Sequence, residues 1–193
     1  MKIAVGVFCA LATAGLAAGL TAQETKKAPD AGAAMALPKP GPEHDILKKD
    51  EGVWDATVEA TMAPGAPPAV SKGVETVKAT GGGLWYVSDF KSEMMGQPFE
   101  GHGVTGYDPV KKKYVGTWVD SMSSGLATSE ASYDPATKSM TAWMEGPDST
   151  GKVVKMKAVT EWKDADTRVF TLYQHGDDGK DVPGLKITYK RRK

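Results

Sequence analysis

The amino-acid sequence predicts an all-β domain: about ten antiparallel strands closed as an up-and-down barrel, with a short helix in front. Two observations carry this. From Val53 onward apolar and polar residues alternate with period two, and nine clusters rich in Gly, Pro, Asp and Ser interrupt the alternation. Strands this close in sequence pair antiparallel with their neighbours, and a sheet so assembled has two bare edges to dispose of. Closure removes both and leaves an interior wide enough for side chains or one small ligand. A two-sheet sandwich meets the same alternation and is the competing architecture.

Taken in order, residues 1–22 read as a secretory signal peptide. Lys2 is the only charge, Ile3 to Leu20 is an unbroken apolar and small run, and Leu20-Thr21-Ala22 supplies small residues ahead of a cut before Gln23. An uncleaved anchor is the rival, since 18 such residues just reach the length that spans a bilayer, but three glycines and many alanines weaken it. Lipid attachment at Cys9 is disfavoured because Phe8, not a small residue, precedes it. Cleavage removes Cys9 and leaves a cysteine-free chain, which excludes disulfides and thiolate metal sites. The expected location is periplasmic or secreted, with no membrane span after cleavage. The 24 basic residues less Lys2 leave 23 against 24 acidic ones, a formal charge of −1 that argues against nucleic acid as a partner. The terminal Lys190-Arg191-Arg192-Lys193 run reads as a solvated tail.

Residues 23–41, rich in Ala, Lys and Pro without hydrophobic period, read as a flexible tether. One β domain then occupies 42–193, about 150 residues, enough to bury roughly 68–70% of the unfolded surface without disulfides. Pro42 to Lys49 has proline and acids first and lysines last, as the helix dipole favours, and Gly52 ends it. In the first strand Trp54, Ala56, Val58, Ala60 and Met62 alternate with polar residues. Two turns nearly repeat, Tyr107-Asp108-Pro109 and Tyr133-Asp134-Pro135, where proline fixes φ and the aspartate can bond nearby backbone. Those aspartates are turn residues before they are catalytic candidates.

The segments Met95-Gly96-Gln97-Pro98-Phe99-Glu100-Gly101-His102-Gly103, Thr105-Gly106-Tyr107-Asp108 and Lys112 to Ser123, with Pro40 to His44 and Gly52-Val53-Trp54, resemble the bacterial domain of unknown function 1579 family. That resemblance covers about the whole mature domain and implies no activity. More loosely, Gly52-Val53-Trp54 after a helical turn, with Arg191 or Arg192 near the last strand, is similar to calycins, the lipocalin and fatty-acid-binding-protein barrels, whose arginine lies over that tryptophan. The lipocalin disulfides have no counterpart here. Some calycin-like barrels hold haem through a histidine. His44, His102 and His175, however, are far apart and lack a His-x-x-x-His spacing, so no metal is expected.

Inside a barrel, Met62, Met94, Met95, Met122, Met140, Met144 and Met156 offer an adaptable apolar wall, though any one of them is explained by ordinary core filling. Trp118, Asp120 and Met122 share a strand face, a polar group within an apolar wall, and a one-residue slip would turn that face outward. His102 between Gly101 and Gly103 sits where backbone can approach a guest. With Trp54 these are the candidate ligand-binding residues. No catalytic residue is named: the sequence has no Gly-x-Ser-x-Gly elbow, no His-Glu-x-x-His and no mature thiol, and Gly81-Gly82-Gly83 runs into a strand instead of a phosphate-binding helix. The function expected is an exported barrel holding a small, largely apolar ligand, with no particular cofactor indicated. A filled structural or protein-interaction module, or an acid–base enzyme with converging carboxylates in the cavity, are the alternatives.

Overall fold

The computed structural model describes residues 37–61, 66–94, 96–147, 150–175 and 181–193. The expected signal peptide and most of the tether, Met62, Met95, the turn at 177–179 and the side chain of His175 lie outside that description.

One short helix, α1 (His44–Lys48), precedes ten strands: β1 (Gly52–Ala60), β2 (Ala69–Thr80), β3 (Trp85–Met94), β4 (Gln97–Asp108), β5 (Lys113–Asp120), β6 (Ala127–Asp134), β7 (Ser139–Pro147), β8 (Val153–Trp162), β9 (Thr167–His175) and β10 (Asp181–Arg191). Every strand pairs antiparallel with the next, and β1 also pairs with β10, so the sheet is a closed barrel and not a sandwich. Register carries the inner face around the ring. Trp54 stands opposite Glu75, Glu75 opposite Phe90, Phe90 opposite Gly101, and Gly101 opposite Asp120. The two aspartate turns form alike: Asp108 Oδ1 accepts from the amides of Val110 (2.8 Å) and Lys111 (3.0 Å), and Asp134 Oδ1 from Ala136 (2.9 Å).

The two ends of the barrel differ. At one, α1 lies across the opening and puts Leu47 into the core, while His44 packs edge-on to Tyr107 and accepts from the amide of Gly41 at Nδ1 (3.0 Å). Trp54 is fully buried there, its Nε1 donating to the carbonyl of Asp50 (2.7 Å). The Arg191 guanidinium lies 4.1 Å from the Trp54 ring centroid and donates to the carbonyls of Glu51 (2.5 Å) and Lys49 (2.7 Å). This explains Gly52: its φ is +127°, and a Cβ there would come within 2.9 Å of Arg191 Nη1. An arginine from the last strand thus clamps the helix, the first strand and its tryptophan together; of Arg191 and Arg192, between which the calycin resemblance leaves the choice open, it is Arg191.

Two buried tyrosines, Tyr114 beside α1 and Tyr189 on β10, report on the dryness of the interior. Burial, then the negative charge of Glu43, pushes Tyr114 up to about 12, and its hydroxyl donates to the Glu43 carbonyl (3.1 Å). Burial, then Glu75, raises Tyr189 well above the usual phenol range. A folded-state pKa raised above the unfolded value of 10.0 contributes stability that is intact below that value and lost as pH rises toward about 12. Spectrophotometric titration near 295 nm should show these two phenols ionising only together with unfolding, and Tyr114→Phe should flatten its share of the alkaline loss. Both ionising reversibly in the folded protein, in the range of free tyrosine, would contradict the arrangement.

Candidate functional site

The opposite end is open. A cavity of about 510 Å³ occupies it, lined by Phe90, Met94, Phe99, Met144, Met156 and Leu172 among others. Below it, toward α1, lies a smaller space of about 210 Å³ whose walls include Ser88, Thr105, Ser129 and Thr160. The two share Glu75, Trp118, Ala127, Met144, Arg168 and Phe170, so the apolar mouth grades into a more polar interior.

Arg168 marks the divide. Only 7% exposed, it donates through Nη2 to Glu75 Oε2, and Ser88 Oγ donates to the other oxygen of that carboxylate. Its Nε lies 3.6 Å from Asp50 Oδ1 and makes no hydrogen bond; that Asp50 oxygen accepts from Trp162 Nε1 (2.8 Å). Its guanidinium carbon stands 4.9 Å from the Trp54 centroid and 4.1 Å from that of Tyr189. Burial alone would lower the Arg168 pKa, but the Asp50 and Glu75 charges more than offset it and hold the guanidinium protonated. Two carboxylates do converge inside the barrel, then, but on an arginine, where they neutralise a buried charge instead of standing as a free acid–base pair. Sequence reading missed this cluster.

On the mouth wall the structure brings Trp118, Asp120 and Met122 together. Trp118 Nε1 donates to Asp120 Oδ2 (3.0 Å), and Asp120 Oδ1 accepts from the amide of Met122 (2.9 Å). The indole lies flat on β4: a Cβ at Gly101 would fall 2.1 Å from the Trp118 ring, and one at Gly103 3.1 Å from it. Those glycines therefore make room for a side chain of the protein itself. His102, between them, projects from the outer face, its Nδ1 2.8 Å from Asp89 Oδ1 with both side chains about half exposed. Trp54 is fully buried against Arg168 and Arg191 and lines neither cavity. Of the expected ligand residues, His102 and Trp54 are thus placed away from the mouth: alternation turns His102 outward, and the closed end encloses Trp54.

Residues 39–191 match the family described as protein of unknown function (DUF1579). The chain belongs to the DUF1579 family. No curated protein matches it. The crystal structure of Rv2717c from M. tuberculosis superposes on this DUF1579 chain with a TM-score of 0.60 at 13% identity, covering 79% of this chain and 99% of that one. A redesigned β barrel, b11L5F_LGL, gives 0.42 at 13% identity over 81% of this chain and 100% of its own, too low to carry an argument. The likeness to Rv2717c concerns the fold alone. Among the described residues of the DUF1579 domain, no helix is long and apolar enough to cross a membrane, and no three His, Cys, Asp or Glu side chains cluster as metal ligands. Gly101, Gly103, Trp118 and Asp120 all fall in the segments that carry the family resemblance; Trp118 and Asp120 line the open end, and the two glycines back the Trp118 ring.

Proposed function

We propose that this DUF1579 protein is exported to the periplasm or beyond the cell, and that its barrel carries a small, largely apolar molecule in the open half. The observation that carries the binding half of this reading is the mouth cavity. Its volume of about 510 Å³ falls within the roughly 300–1,000 Å³ usual for small-molecule sites, and its walls are apolar with a few polar groups. Methionines from β3, β7 and β8 and the rim residue Met122 supply side chains that reshape around different guests. A volume of that size also speaks against a barrel filled by its own side chains. Export is supported by the charge and apolar run of residues 1–22.

Native mass spectrometry of protein from its own host should show a co-purified molecule. A neutral apolar fluorophore should bind the emptied protein and be displaced by that molecule. Met156→Trp, which fills the mouth, and Gly101→Val, which drives the Trp118 ring off β4, should each weaken fluorophore binding about tenfold or more. No co-purified molecule, together with fluorophore binding untouched by both variants, would remove the carrier reading. N-terminal sequencing of exported protein should begin at Gln23; an intact Met1 would overturn cleavage.

A further inference from the structure

Among the described residues that line the mouth, Asp120 is the charged group that no opposite charge offsets. It lies on the inner face of β5, opposite Gly101, and lines the apolar cavity beside Phe99, Trp118 and Met122. Its two oxygens accept from an indole N–H and a backbone amide, both uncharged donors, and among the described residues no Lys or Arg forms an ion pair with it. A carboxylate in an apolar, partly desolvated wall gains most from a cation, because hydrogen bonds to neutral dipoles leave its net charge uncompensated.

The rest of the lining points the same way. Among the described residues, the two adjoining cavities are walled by Asp50, Glu75 and Asp120 against a single cation, Arg168. Arg168 is buried, held by Glu75 and flanked by Asp50, so its charge is already offset before any anionic head group arrives. A carboxylate ligand would therefore enter a space carrying an excess of its own sign. Aromatic faces near Asp120, those of Trp118 and Phe99, are moreover surfaces that attract cations.

We infer that the preferred ligand is a hydrophobic amine: an apolar body held by the methionine and phenylalanine walls, with a protonated nitrogen at the mouth against Asp120. This deepens the carrier reading and rests on it. A fatty acid of the same length is the ligand this site rejects.

Three molecules with one twelve-carbon chain test it: dodecylamine, dodecanol and laurate, each displacing the neutral fluorophore at pH 7 below micelle-forming concentration. Dodecylamine should bind about tenfold or more tightly than dodecanol, and laurate should be weakest. Asp120→Asn keeps an acceptor for the indole and removes the charge. It should cost dodecylamine most of its advantage while leaving dodecanol unchanged, and high salt should narrow the wild-type gap. If dodecylamine and dodecanol bind alike, or if Asp120→Asn leaves their ratio intact, the amine inference fails while the carrier reading stands. If none of the three displaces the fluorophore, the carrier reading itself fails.

Discussion

Arg168→Leu is expected to lower the unfolding free energy by about 3–5 kcal/mol, as removal of one partner from a buried ion pair does. Leucine fills part of the space but leaves Glu75, whose side chain is 9% exposed, with only the Ser88 hydroxyl, and Asp50 without a neighbouring positive charge. The loss comes mainly from those stranded charges. Adding Glu75→Leu to Arg168→Leu should therefore restore part of the stability, since a well-packed apolar pair often matches a buried ionic one. Equilibrium urea unfolding, followed by tryptophan fluorescence and far-ultraviolet circular dichroism, measures both. A single variant losing less than about 1 kcal/mol, the scale of an exposed ion pair, would show that the cluster is solvated.

Trp54→Ala should have a similar effect, about 3–5 kcal/mol, for a different reason. Trp54 is fully buried, and the guanidinium groups of Arg168 and Arg191 both lie against its ring. Truncation opens a cavity beside two cations whose stacking partner has gone, and it strips the Asp50 carbonyl of its indole donor. Trp54→Phe retains an aromatic face and loses the N–H, so it should fall between, with about 1–3 kcal/mol lost. If phenylalanine were as damaging as alanine, the hydrogen bond and not the stack would be holding the closed end. Fluorophore binding at the mouth should survive Trp54→Phe, because that residue lines neither cavity.

Strand number and connectivity were legible in the sequence because they depend on local signals. Alternation sets each strand, and turn chemistry such as Asp108-Pro109 and Asp134-Pro135 sets each reversal. The inner face was also readable in part. Phe99 shares its parity with Gly101 and Gly103, and using it as an anchor turns His102 outward. What glycine spacing does not reveal is whose ring will occupy the clearance; here it is Trp118, from the next strand. The Arg168 cluster was missed because a single arginine in a strand reads as solvent-facing. Its parity with Phe170 and Leu172, and that of Glu75 with Val77, was the available sign of burial. Val169 and Val74 on the opposite parity obscured it, since both faces of those strands carry apolar residues. The meeting of Asp50, Glu75 and Arg168 joins positions up to 118 residues apart and belongs to tertiary structure.

The seam between β1 and β10 has a kinetic consequence. Nine of the ten pairings join consecutive strands and can zip up as soon as each hairpin emerges, whereas the last waits for the final residues of the domain. Until β10 arrives, β1 and β9 each expose an unpaired edge, a template for pairing with a second chain, and Trp54 has no Arg191 to cover it. Translation halted before Asp181 would thus yield a sticky, open ribbon and not a smaller barrel, and the rate of folding should follow the docking of this one terminal strand.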